Sequence, residues 1–117
     1  MTYQITLPFP PSVNRYWRSI ARGRVIVSAD GRKYKTDVVA AVMTRGRKQF
    51  DGPVEIKIVA HPPDRKRRDL DNLLKATLDA IGNAGVYKDD SQVKAIAMRW
   101  GRVLKGGCLH VEIRPFV

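Results

Sequence analysis

A change of hydrophobic period in the middle of the chain constrains its fold more than any other sequence feature. Apolar and polar residues alternate over 54–60, which predicts a half-buried β-strand. From Leu70 to Ile81 the apolar residues instead recur every three or four positions, which predicts one buried stripe of an α-helix. Gly82 and Gly85 follow and suit a left-handed helix end. A strand that leads into a helix is therefore the central unit of the fold.

The flanking segments complete a small α+β domain. Further strands are predicted at 3–7, 93–100 and 109–113, with a short one at 24–27, and a second helix at 29–47 after the capping residue Ser28. Because residues 93–100 are apolar on both faces, we expect that strand at the centre of the sheet. The predicted fold is a small mixed β-sheet of about four strands packed with two main helices, in the order β-α-β-α-β-β. The range 1–117 is expected to form one domain.

The acidic residues are unevenly distributed in a strongly basic chain. There are 22 Lys and Arg against 11 Asp and Glu, a net charge of +11, yet six of the acids lie in the range 64–90. Solubility does not require this clustering, because the net charge alone keeps copies of the chain apart. The four cations 65–68 directly precede Asp69 and Asp71, and the pair 89–90 follows the predicted helix. This pattern indicates a site at which acids work beside an anion.

Asp69 and Asp71 allow two interpretations at the start of the predicted helix. As N-cap and first-turn residues they would complement the helix dipole, each by about 0.3–1 kcal/mol. That interpretation explains neither the cations upstream nor Asp89 and Asp90 downstream. Because no His or Cys lies among them, these acids also form a hard oxygen donor set that suits Mg²⁺ or Mn²⁺ and phosphodiester hydrolysis. A shared ion site requires the helix to begin near Leu70, so that Asp69 remains outside it.

Lys75 lies one helical turn after Asp71 and also allows two interpretations. It could stabilise the charge that develops during hydrolysis or orient the attacking water. It could equally form an ordinary ion pair with Asp71 or Asp79, four residues away on either side.

The N-terminal range 12–24 interleaves arginines with aromatic residues. Guanidinium groups suit phosphate oxygens, and aromatic faces can stack on exposed bases, so the range is predicted to bind nucleic acid. The alternative is a solvated loop in which Tyr16 and Trp17 pack back on the core.

Composition excludes several other classes of protein. The single cysteine, Cys108, excludes an internal disulfide and fits a reducing compartment, and with only His61 and His110 it disfavours a structural zinc site. No stretch is long and apolar enough to span a membrane, and the first residues lack the apolar run of a signal peptide. We expect a cytoplasmic protein with no membrane partner and no small-molecule cofactor.

Together these segments resemble the RusA family of phage- and prophage-associated Holliday-junction resolvases over essentially the whole chain. The most specific matches are LPFPPSVNRY at 7–16, PDRKRRDLDNL at 63–73 and DDSQV at 89–93. The resemblance implies a homodimeric, Mg²⁺-dependent endonuclease that cuts four-way DNA junctions symmetrically in recombination and repair.

The resemblance also implies roles for individual residues, and the chain shows no departure at the matched functional positions. Asp69, Asp71 and Asp90 match the three catalytic, metal-binding aspartates, Lys75 matches the functional lysine, and Asp89 would support Asp90. Independently of the resemblance, DNA contacts are expected at Asn14, Arg15, Arg18, Arg65, Lys66, Arg67, Arg68 and Asn72. A C₂ dimer would present two identical sites to opposing strands of a four-way junction.

Two other classes of protein fit the same residues. A non-catalytic DNA- or RNA-binding protein would use 65–68 to bind phosphates, and Asp69 would only cap the helix. A metal-dependent nuclease of RNA or of flaps would use the same acids. Chelation separates an enzyme from a pure binder, and substrate competition separates a junction resolvase from another nuclease.

Overall fold

The computed structural model describes residues 1–117 and contains six strands and three helices. The strands are β1 (Tyr3–Pro8), β2 (Trp17–Ser19), β3 (Val25–Val27), β4 (Val54–His61), β5 (Val93–Trp100) and β6 (Cys108–Pro115). The helices are α1 (Val13–Tyr16), α2 (Ala29–Arg45) and α3 (Asp71–Asn83), with 3-10 turns at Ala21–Gly23 and Asp90–Gln92. The predicted α+β class and element order are confirmed, with α1 and β2 added.

Four strands form one mixed sheet in the order β1-β6-β4-β5, and β2 and β3 form a separate antiparallel pair. β5 is therefore an edge strand, and the expectation that it lies at the centre of the sheet is wrong. None of its residues is fully buried, so its apolar residues do not reflect enclosure on both faces. Ala95 and Ala97 are small residues on the face that bears Glu55 and Lys57, while Ile96 points to the other face and is still 41% exposed.

The core lies between one face of the sheet and helices α2 and α3. Alternate residues of β1, β4 and β6 are buried there, as their period of two predicts. From α2 the predicted inner residues Tyr34, Val38 and Val42 are buried, and the helix ends at Arg45 because Gly46 adopts a φ of 107°. None of the helices combines the length and apolar character needed to span a membrane.

The direction of two strands decides where the predicted site residues lie. β5 pairs with β4, and the two run parallel, with Val54 opposite Val93 and Ala60 opposite Trp100. The segment that follows β4 and the turn that precedes β5 therefore lie at opposite ends of the strand pair, about 23 Å apart along the eight-residue β4. Adjacency of these strands does not by itself bring the acids to one edge of the sheet.

Candidate functional site

The acidic side chains divide into those that pair with a cation and those that do not. Six of the eleven lie within 3.9 Å of a Lys or Arg nitrogen: Asp30, Asp37, Asp51, Glu55, Asp64 and Asp79. The five others are Asp69, Asp71, Asp89, Asp90 and Glu112. Three of the unpaired acids are the predicted metal ligands, although the chain has 22 cations available.

Asp69 and Asp71 flank the start of α3 with exposed side chains. The helix begins at Asp71, within one residue of the predicted position, and Leu70 has helical angles of φ −57° and ψ −43°. The main-chain carbonyl of Asp69 accepts the N–H of Asn72 at 3.2 Å, but no side chain caps the helix. The N-cap role considered for Asp69 is therefore wrong. Both carboxylates face solvent at the positive end of the helix dipole.

Lys75 is exposed and lies within salt-bridge distance of no carboxylate. Of its two possible partners, Asp71 is unpaired and Asp79 pairs instead with Lys35, with Nζ and Oδ2 3.4 Å apart. The interpretation of Lys75 as an ordinary ion-pair residue is thus not supported, and its ammonium group is available for another role.

Asp89 and Asp90 are neighbours with different surroundings. Asp89 caps the 3-10 turn, because its Oδ1 accepts the N–H of Ser91 at 3.1 Å while Gln92 Oε1 accepts the N–H of Asp89, also at 3.1 Å. The Ser91 N–H holds the pKa of Asp89 below its usual value. Gln92 in turn donates to the carbonyls of Phe50 and Gly52, which fixes the turn to the body of the protein. Asp89 thus has a structural role, and the Asp90 side chain is exposed.

The structure places Asp90 beside the second half of α3. The buried Tyr87 hydroxyl donates to the carbonyl of Leu78, and burial first and then the charge of Asp90 raise the pKa of Tyr87. Leu78 lies seven residues after Asp71, about 10 Å along the helix axis. No three His, Cys, Asp or Glu side chains approach closely enough to form a preformed metal site. Within one chain Asp69, Asp71 and Asp90 therefore do not form a three-ligand cluster.

The cationic segment before α3 contains one residue with a structural role. Arg65, Lys66 and Arg67 are exposed, but Arg68 is half-buried, with its guanidinium carbon 5.5 Å from the centre of the Phe9 ring. Arg68 also donates to Asp64, and this bond is the main cause that lowers the pKa of that carboxyl group. The sequence interpretation assigned all four cations to DNA and missed this role, although an acid four residues before Arg68 was a signal for it.

A shallow depression of about 160 Å³ lies directly beside Asp69. Phe9, Pro10 and Ser12 line one side of it, and Arg67 and Asn72 line the other. Two of the sequence segments that carry the resemblance therefore meet at this point. A larger groove of about 1120 Å³ lies along the exposed face of the sheet and α2, and none of the predicted site residues lines it.

The N-terminal cations lie on α1 and on a projecting basic hairpin, defined here as residues 17–27. Asn14, Arg15 and Arg18 are exposed, and Arg15 pairs with Asp30 at 3.2 Å on the surface. The tip of the hairpin turns at Arg22, which has a φ of 65°. Tyr16 is fully buried and Trp17 packs against the core, as the alternative interpretation expected, while the arginines face solvent and their binding to nucleic acid stays a prediction.

Comparison with known proteins identifies the family of the chain. The family described as "Endodeoxyribonuclease RusA" matches residues 8–114. The crossover junction endodeoxyribonuclease rusA of Enterobacteria phage 82 is 47% identical over 115 residues, which cover 96% of this chain and 93% of the relative. Proteins of the same name from Escherichia coli (strain K12) and Shigella sonnei (strain Ss046) are 48% and 47% identical, with the same coverage. The chain belongs to the RusA endodeoxyribonuclease family.

Proposed function

We propose that residues 1–117 act as a single endonuclease domain that resolves Holliday junctions by symmetric paired nicks in DNA recombination and repair. Relatives named crossover junction endodeoxyribonuclease, at 47–48% identity over nearly the whole chain, support the substrate. One structural observation supports the chemistry most directly. In a chain of net charge +11, Asp69, Asp71 and Asp90 are exposed and without a cationic partner, as ligands awaiting a metal ion would be.

Mg²⁺ is the ion that best fits these donors, and Mn²⁺ would substitute for it. The proposed ligands Asp69, Asp71 and Asp90 are all carboxylates, which hard divalent cations prefer, and no sulfur or imidazole ligand lies among them. The dipole of α3 is directed against binding a cation at its first turn, so the three negative charges are needed to offset it. Bound there, the ion would supply an activated water and neutralise charge at the phosphorus.

The remaining residues would position the DNA strand. Arg65, Lys66 and Arg67 are exposed directly before Asp69 and would bind phosphates on either side of the scissile bond. Lys75, exposed one turn after Asp71, would donate to the oxygen on which negative charge develops. Asn72 would contact the strand from the depression beside Asp69, and Asn14, Arg15 and Arg18 would hold an adjoining arm of the junction.

We further propose that the site is completed in a homodimer. In one chain Asp90 lies on the turn that contacts the second half of α3, near Tyr87, and Asp69, Asp71 and Asp90 do not form a three-ligand cluster. In a C₂ dimer, the 3-10 turn of one protomer could lie against the start of α3 in its partner. Asp90 of one chain would then meet Asp69 and Asp71 of the other, and the symmetry would form two such sites. It would also match the approximate two-fold symmetry of a four-way junction.

The test is incubation of the protein with an end-labelled four-way junction, with Mg²⁺ and with a chelator. The proposal expects paired nicks at symmetry-related positions in the presence of Mg²⁺, and binding without cleavage under chelation. A linear duplex, a flap and an RNA of equal length serve as competitors. Cleavage of a competitor in preference to the junction would contradict the substrate, and absence of any cleavage would leave a DNA-binding protein.

A further inference from the structure

A partly buried hydrogen bond joins the base of the basic hairpin to α3. Tyr16 is fully buried, and its hydroxyl donates to Asp79 Oδ2. The same oxygen lies 3.4 Å from Nζ of Lys35 on α2. The ammonium group balances the half-buried carboxylate, which would otherwise be costly to desolvate. Three elements, α1, α2 and α3, therefore meet at one carboxyl group.

Tyr16 also closes the hairpin at its other end. Its main-chain carbonyl accepts the N–H of Ser28 at 2.9 Å and the hydroxyl of Ser28 at 3.0 Å. Residues 17–27 therefore leave from and return to the same residue. A methyl group on Gly31 would lie 2.5 Å from this carbonyl oxygen, so α2 packs tightly against it as well. The base of the hairpin is therefore held at Tyr16.

Asp79 links the rotation of α3 to Tyr16. It lies four residues after Lys75 and eight after Asp71, on the same polar side of the helix as both. A rotation of α3 that changed the direction of the Asp71 carboxylate would also move Asp79 away from Tyr16. Burial first and then the bond to Asp79 raise the pKa of Tyr16, so its hydroxyl keeps the proton with which it donates.

We infer that Tyr16 is a positioning residue that, through Asp79, sets the basic hairpin at a fixed orientation to the acidic start of α3. The inference rests on the proposed function, since it concerns how DNA held by the hairpin is presented to the acids. Loss of the Tyr16 hydroxyl leaves every cation in place, so junction binding persists. It removes the alignment of the bound strand, on which the rate of the chemical step depends steeply.

The decisive comparison is between Tyr16→Phe and Tyr3→Phe. Tyr3 is likewise buried and donates its hydroxyl to a main-chain carbonyl, that of Gly46, but this bond joins β1 to the end of α2 and involves neither the hairpin nor α3. We expect both variants to lose similar thermal stability. Tyr16→Phe alone should lower single-turnover cleavage at saturating junction by about 10- to 100-fold, with a junction Kd within about threefold of the unmodified protein.

Substitutions at Asp79 test the same inference independently of the Tyr16 variants. Asp79→Asn keeps an acceptor for the Tyr16 hydroxyl, and Asp79→Ala removes it. The inference expects Asp79→Asn to cleave faster than Asp79→Ala, which should match Tyr16→Phe. Equal cleavage by Tyr16→Phe and Tyr3→Phe, or a Tyr16→Phe defect seen only in Kd, would overturn it.

Hydrogen exchange without DNA separates failure of this inference from failure of the proposed function. Tyr16→Phe should speed amide exchange across residues 17–27 and α3 more than Tyr3→Phe does. If the unmodified protein leaves the junction intact, the proposed function fails, while the exchange result still decides the positioning role. Unchanged exchange in Tyr16→Phe would overturn that role whatever the enzyme cleaves.

Discussion

Arg68 donates through Nη1 to Asp64 Oδ1 at 2.7 Å, so one of the four cations before α3 is already engaged within its own loop. Arg67, next to it, is exposed and has no acidic partner. We therefore expect Arg67→Ala to weaken junction binding and to reduce the slope of log K against log salt by about 0.9, the value for one lost phosphate contact. Binding titrations over a range of salt concentrations measure this slope.

Arg68→Ala should behave differently from Arg67→Ala. It removes the contacts with Asp64 and Phe9 that shape the loop, so we expect a lower melting temperature as its main effect. Lys33→Ala, which removes a cation already paired with Asp37 on α2, serves as the control for a loss of one charge. A salt slope reduced as much by Lys33→Ala as by Arg67→Ala would remove Arg67 from the phosphate interface.

Neutralising any proposed metal ligand should reduce cleavage of the junction without weakening its binding. Asp69→Asn, Asp71→Asn and Asp90→Asn are each expected to lower junction cleavage by more than about 100-fold, because an ion at such a site contributes several kcal/mol to the transition state. Junction affinity should persist or increase, since each change removes a negative charge beside phosphate. Gel-shift and cleavage assays on the same junction measure both. Affinity that falls in step with cleavage would count against a metal role.

A mixture of two inactive proteins tests whether two chains build one site. If one protomer supplies Asp90 and its partner supplies Asp69 and Asp71, a heterodimer of Asp71→Asn and Asp90→Asn retains one intact site. We expect an equal, re-equilibrated mixture to nick the junction on one strand, in the roughly half of dimers that are heterodimeric. Denaturing gels of labelled junction detect this single nick.

A matched mixture provides the control for that experiment. Asp69→Asn and Asp71→Asn lie on the same side of the proposed shared site, so their heterodimer has no intact site and should stay inactive. Recovery in both mixtures would indicate contamination or exchange with active protein. If neither mixture regains cleavage activity, all three acids of each site come from one chain.

Stability should fall with acid partly through Asp89. Its pKa lies below the ordinary value because the Ser91 N–H bonds to the ionised carboxylate. A carboxyl group with a lowered folded-state pKa stabilises the protein above its unfolded pKa of about 3.9 and loses that contribution as the pH falls through the folded value. We expect Asp89→Asn to reduce the dependence of melting temperature on pH below about 5. An unchanged dependence would assign the acid sensitivity to other groups, such as Asp64.

Local patterns in the sequence predicted most of the secondary structure, because period and capping are properties of neighbouring residues. The predicted start of α3 was correct to one residue, and β4 and β6 were found from their alternation. The buried side of α3 was only partly predicted. Leu74 and Leu78 are half-buried, whereas Ala76 and Ala80 are fully buried. Small residues allow close packing of α2 against α3, and that depends on a partner the sequence pattern does not specify.

The features of the site that the sequence did not predict depend on contacts between distant parts of the chain. Composition and spacing identified Asp69, Asp71 and Asp90 as a group, but their separation depends on β4 and β5 pairing in parallel. Strand direction follows from long-range pairing and not from the residues of either strand. The same holds for Tyr16 and Asp79, which are 63 positions apart in sequence and share a hydrogen bond.

The closure of the hairpin at a single carbonyl has a consequence for how this family can diversify. Because the Tyr16 carbonyl holds Ser28, the intervening residues form a self-contained appendage on a fixed base. Insertions or deletions at its tip, near Gly23, would alter reach and charge toward the nucleic acid without disturbing the sheet or the acids. Substrate preference could therefore drift between lineages through changes in one exposed turn, while the hydrolytic machinery stays as it is.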